Sequence, residues 1–119
     1  MLKDANPNSF SGIYLVCGFT DLRYGMDSLA AIIEHRYKLS LFVPNTLFLF
    51  CGRRANKIKG LVWEGDGFLL FTKRVDSGRF NWPRNSNEAR KLSAQQFLWL
   101  MDGFSIDPVI QMVNPEKSA

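Results

Sequence analysis

Ten basic residues fall between positions 53 and 91: Arg53, Arg54, Lys57, Lys59, Lys73, Arg74, Arg79, Arg84, Arg90 and Lys91. Only Glu64, Asp66, Asp76 and Glu88 oppose them there. The local excess is six positive charges, against +4 for the whole chain. The rest of the molecule is therefore slightly acidic. Cations at this density suit a phosphate backbone, because each contact releases condensed counterions. Trp63, Phe68, Phe71, Phe80 and Trp82 interleave with them, and rings among cations can stack on unpaired bases. The plainer alternative is a solvated sheet face over an aromatic core, and composition alone leaves both open.

Thr20-Asp21-Leu22-Arg23 offers a second constellation. Asp21 and Arg23 share a side in an extended segment. They form either a structural ion pair or a phosphate-reaching arginine oriented by its carboxylate. Catalysis finds little support. The single histidine, His35, sits beside Glu34 and Arg36 on a predicted helix. Asp21, Asp27, Asp66, Asp76 and Asp102 could in principle hold two metal ions as in nucleases. Nothing in their spacing makes them converge, and Asp66 and Asp76 lie in turns that favour Asp for backbone reasons. No glycine-rich phosphate loop precedes a helix. Cys17 and Cys51 lie in apolar runs and read as small hydrophobes rather than a disulfide framework or metal site. The expectation is a non-catalytic protein with no cofactor and no metal.

The elements that must position these residues follow from the apolar pattern. The 119-residue chain is 46% hydrophobic and 22% charged, the size and balance of one globular domain. Ile13-Tyr14-Leu15-Val16-Cys17 reads as a buried strand stopped by Gly18. A helix is predicted over 27–39, with Leu29, Ile32, Ile33 and Tyr37 on one stripe. Thr46-Leu47-Phe48-Leu49-Phe50-Cys51 is apolar throughout, so it predicts a central strand covered on both faces. Residues 57–63 and 68–73 flank Glu64-Gly65-Asp66-Gly67 and predict an antiparallel hairpin. With the turn at Gly65-Asp66, Trp63 faces Phe68, Leu61 faces Leu70, and Lys59 faces Thr72; Lys57 and Arg74 continue that face. Residues 79–82 alternate as a short strand before Pro83, and residues 84–91 read as a loop. Ser93 and Gln96 have capping-box spacing ahead of a short helix closed by Gly103. Residues 1–11 and 114–119 are expected to be flexible. The polar opening has no signal-peptide pattern, and no apolar run approaches a membrane span, so a cytoplasmic location is expected.

Several ordered blocks resemble a known family. Gly18-Phe19-Thr20-Asp21-Leu22-Arg23-Tyr24-Gly25-Met26-Asp27-Ser28-Leu29-Ala30 is similar to its opening pattern. Leu47-Phe48-Leu49-Phe50 resembles its apolar strand. Arg53-Arg54, Lys57-Ile58-Lys59 and Trp63 with Asp66-Gly67-Phe68 resemble its hairpin. Lys73-Arg74, Gly78-Arg79-Phe80, Trp82-Pro83 and Leu92-Ser93 with Gln96 follow in order. Ser28 stands where the family usually has Gly, and Asn56 where it has Asp. The family is the TnpB-type accessory protein, the second reading frame, of bacterial insertion sequences of the insertion sequence 66 class. The resemblance covers residues 13–105. It implies a protein working beside a larger transposase that carries the acidic catalytic triad.

The combined expectation is an α+β fold in a single small domain. It has a mainly antiparallel sheet, a central hairpin and two or three helices. Its function is as an accessory factor of transposition that binds DNA at transposon ends. Arg53, Arg54, Lys57, Lys59, Lys73, Arg74 and Arg79 would contact phosphates, with Arg23 at the margin. The alternative is a protein–protein adaptor that docks the transposase or another accessory subunit through Trp63 and Trp82.

Overall fold

The computed structural model describes residues 2–108. A five-stranded sheet has the order β4-β3-β2-β1-β5. Its strands are β1 (Gly12–Val16), β2 (Thr46–Cys51), β3 (Lys57–Trp63), β4 (Phe68–Arg74) and β5 (Ala89–Lys91). Strands β1 and β2 run parallel, and every other neighbouring pair is antiparallel. Helix α1 (Met26–Ala31) lies in the crossover between β1 and β2, and α2 (Ala94–Met101) follows β5. This is the α+β architecture expected from the pattern of elements.

Strand β2 occupies the centre because all six of its residues are apolar or small enough to be buried. Successive side chains point to opposite faces, so the strand feeds two cores. Phe48 and Phe50 meet Leu29, Ala30 and Ile33 of the helical segment on one side. Leu47, Leu49 and Cys51 belong to the other side, with Phe97, Leu100 and Met101 of α2. The hairpin has the expected register: Trp63 opposite Phe68, Leu61 opposite Leu70, Lys59 opposite Thr72, Lys57 opposite Arg74. Gly65 takes φ +96°, and Glu64 N–H donates to the Gly67 carbonyl at 2.8 Å. A positive φ at the first central position is what a two-residue hairpin turn of this hand requires. Gly60 serves a different need. The Phe71 ring lies across it, 2.0 Å from where a Cβ would sit.

Helix α2 begins with the expected capping box. Gln96 N–H donates to Ser93 Oγ at 3.1 Å, and Ser93 N–H donates to Gln96 Oε1 at 2.9 Å. It ends in a Schellman motif: Gly103 has φ +85°, with Phe104 N–H on the Trp99 carbonyl and Gly103 N–H on the Leu100 carbonyl.

Three segments differ from the sequence expectation. The predicted helix over 27–39 is α-helical only to Ala31. It continues as a π-helical turn, Ile32–Arg36, and Lys38 at φ +56° terminates it. Residues 79–82 form no strand. Phe80 N–H donates instead to the Ala55 carbonyl at 2.7 Å, and both Phe80 and Trp82 turn into the core. The segment thus covers the α2 face of the sheet instead of extending it. Residues 89–91, expected within a loop, pair with β1, because an open strand edge accepts polar side chains as readily as apolar ones. The lead-in forms two 3-10 turns, Leu2–Asp4 and Pro7–Ser9, with Leu2 and Phe10 packed on the core. Phe10 and Phe97 have ring centroids 6.2 Å apart. The tail at 114–119 lies outside the described residues.

Both cysteines are buried and free. Burial pushes the Cys51 thiol up to about 11 and raises that of Cys17 too, so neither is poised as a thiolate nucleophile. Among the described residues no helix is long and apolar enough to cross a membrane.

Candidate nucleic-acid interface

Open sheets place ligand crevices at the carboxyl ends of parallel strands, and β1 and β2 end side by side. Gly18, at φ +78°, turns the chain out of β1. Thr20 N–H then donates to the Cys51 carbonyl at 2.8 Å, fastening the outgoing loop to the end of β2. The loop from β2 to β3 is tight. Gly52 N–H donates to the Lys57 carbonyl, and Ala55 N–H to the Gly52 carbonyl. Ala55 is held at φ +60°, a left-handed conformation costing roughly 1 kcal/mol in a non-glycine residue. Burial of its methyl and the bond from Phe80 N–H hold it there. The consequence is that Arg53 and Arg54, at the apex, both project into solvent.

An open cleft of about 890 Å³ lies between these loops and the adjoining ends of β3 and β4. Arg23, Arg53, Arg54, Lys57 and Arg74 line it, together with Phe19, Asn56 and a single carboxylate, Asp21. Asp21 is already engaged. Arg23 Nε and Nη2 donate to it at 3.0 and 2.7 Å, and the Arg23 amide at 2.9 Å. The Arg23 guanidinium holds the Asp21 carboxyl down to about 2. The pair is therefore intact above the ordinary carboxylate range and is lost only as pH falls toward 2. Arg53, Arg54, Lys57 and Arg74 have no carboxylate partner among the described residues. Four cations face one cleft without internal neutralisation.

The sequence-predicted set is divided by the fold. Arg23, Arg53, Arg54, Lys57 and Arg74 come together. Lys59 shares their face of the hairpin but is half-buried and donates Nζ to the Tyr24 carbonyl at 3.1 Å. Lys73 sits opposite Ile58, whose side chain joins the α2 core, so strand alternation sends it to the other face. Arg79 is exposed in the turn beyond β4 and lines no part of the cleft. The cationic site is thus the open end of the hairpin joined to two loops, rather than one face of a ribbon. Trp82 is a core residue. It is 5% exposed, and its Nε1 donates to the Val16 carbonyl at 2.9 Å. Trp63 is half-buried at the opposite end of the hairpin, within 5.0 Å of Phe42 and 4.9 Å of Phe68 between ring centroids.

Two contributors lie outside the expected set of contact residues. Phe19 is 52% exposed, and the Arg53 guanidinium lies over its ring at 4.2 Å. Arg84 supports the same corner from below. Its Nη2 donates to the Gly52 and Arg53 carbonyls at 3.1 and 3.2 Å, and its guanidinium carbon is 5.5 Å from the Phe19 centroid. The available signal was an aromatic immediately after the glycine that ends a buried strand. The five candidate aspartates do not assemble, since no group of three metal-ligating side chains exists among the described residues. His35 is exposed.

Comparison with known proteins places the chain in a family. The model of the IS66 Orf2 like protein family matches residues 11–111. An uncharacterized protein, y4hO, of Sinorhizobium fredii is 38% identical over 91 residues, covering 76% of this chain and 78% of that one. A second, y4jC, of the same organism is 29% identical over 83 residues, covering 70% of each. No solved structure matches the chain. The cleft, both helices and all five strands fall within the matched span, and the chain belongs to the IS66 Orf2-like family, the accessory proteins of insertion-sequence transposition.

Proposed function

We propose that this protein is a non-catalytic accessory factor of transposition that grips DNA phosphates in the cleft at the ends of β1 and β2. The observation carrying this reading is the set of four cations, Arg53, Arg54, Lys57 and Arg74, gathered there without carboxylate partners. Such contacts position a duplex without reading its sequence. The test is a titration of transposon-end duplex over a range of salt. Four phosphate contacts predict a log–log slope near −3.6, at about 0.9 per phosphate. A flat response rejects the reading.

Asp21→Asn probes the same cleft from the other sign. It removes the one carboxylate and frees Arg23, so binding is expected to tighten and the slope to steepen by about 0.9. Fluorescence anisotropy with labelled duplex measures both. Metal-dependent nicking that disappears in this variant would make the chain an enzyme instead.

A second reading rests on the aromatic cluster at the far end of the hairpin. Phe42 is 55% and Val43 43% exposed, and Phe42 packs edge-on against Trp63. Exposed aromatics in contact are typical interface anchors, and here they would dock the transposase. Under this reading Phe42→Ser reduces capture of purified transposase, without DNA present, by roughly 30-fold, the size of a hot-spot loss. Unchanged capture assigns no docking role to this end.

A further inference from the structure

We infer that the cleft takes DNA with an unpaired base, and that Phe19 is the platform on which that base stacks. This rests on the phosphate-gripping reading above and specifies its substrate. The observation is the placement of Phe19. It is an apolar ring, 52% exposed, inside a cleft whose other projecting side chains are chiefly charged. Its position is built rather than incidental. Gly18 turns it out of the sheet, and the next residue, Thr20, is bonded to the end of β2. Arg53 lies over the ring at 4.2 Å, and Arg84, fixed by two backbone carbonyls, approaches it at 5.5 Å. A guanidinium stacked over the ring covers one of its faces and presents its own planar outer face to a base, with cation–π attraction holding the stack together.

An unbent duplex offers such a ring no base face. Its bases are already stacked on each other, and only sugar and phosphate would meet the phenyl. A single strand offers both components at once: phosphates for Arg53, Arg54, Lys57 and Arg74, and a free π-face for Phe19. Stacking on an aromatic side chain is sequence-tolerant, since every base has such a face. The site would therefore select for strandedness rather than sequence, and strand opening at a transposon end would create its ligand.

The test compares the full-length protein on three probes of equal length: oligo-dT, an abasic strand with the same phosphates, and a duplex. The wild type is expected to bind oligo-dT about tenfold more tightly than the abasic strand, within the range for one stacked base. Phe19→Ala removes that preference, and Phe19→Tyr keeps it. Equal wild-type affinity for oligo-dT and the abasic strand overturns the inference and leaves the phosphate grip standing. So does a Phe19→Ala protein that retains the preference. Failure to bind any of the three at low salt overturns both. The wild-type comparison decides even if Phe19→Ala folds poorly.

Discussion

Replacing Arg53 and Arg54 together by alanine is expected to weaken duplex binding roughly 60-fold at 0.1 M salt. Each phosphate contact contributes about 0.9 to the log–log salt slope, hence about eightfold per cation at that concentration. The slope itself should fall from near −3.6 to near −1.8. Both side chains are exposed and unpaired, so thermal stability should change little. Arg53 also covers Phe19, which makes Arg54→Ala alone the cleaner probe of charge. Lys73→Ala supplies the control. Its side chain lies on the opposite face of the sheet, and its loss should leave the slope unaltered. An equal effect from Lys73 and Arg54 would mean that long-range charge, not the cleft, governs binding.

Trp82→Ala is expected to destabilise the fold by about 3–5 kcal/mol, the cost of emptying a buried aromatic site. The loss also strands the Val16 carbonyl, which now accepts from Trp82 Nε1 at 2.9 Å, and this pushes the effect toward the upper end. Domains of this size have roughly 5–15 kcal/mol in total, so a fifth or more of the stability would go. A urea midpoint measured at unchanged m-value reads it directly. Trp82→Phe should restore most of the packing and lack only the hydrogen bond. A Trp82→Ala protein as stable as the wild type would mean that residues 80–83 do not seal the α2 face. The consequence for function is practical. Loss of transposase capture in Trp82→Ala would report unfolding, whereas Phe42, at 55% exposure, reports on docking.

Local chemistry determined much of this fold. The apolar run at 46–51 has no polar face to turn outward, so it could only be a central strand. The turn at Gly65-Asp66 set the pairing of Trp63 with Phe68, and alternation carried that register to Lys57 and Arg74. Ser93, Gln96 and Gly103 delimited α2 by their own hydrogen bonds. The candidate site was only half legible. Arg53 and Arg54 were visible as an adjacent pair beside a glycine, and Asp21 and Arg23 formed the pair that their spacing allowed.

Residue types and their spacing thus decided the strand order's centre, the hairpin register, the caps of α2 and the charge excess between positions 53 and 91. The tertiary structure alone decided which cations meet. Parallel pairing of β1 with β2 brings residues 19–23 beside 52–57, 29 to 38 positions apart in the chain. It also turned Trp82 inward, left Phe19 outside and drew β5 from a polar segment. A charge is counted along the chain, but its potential depends on distance through space, and only folding sets that distance.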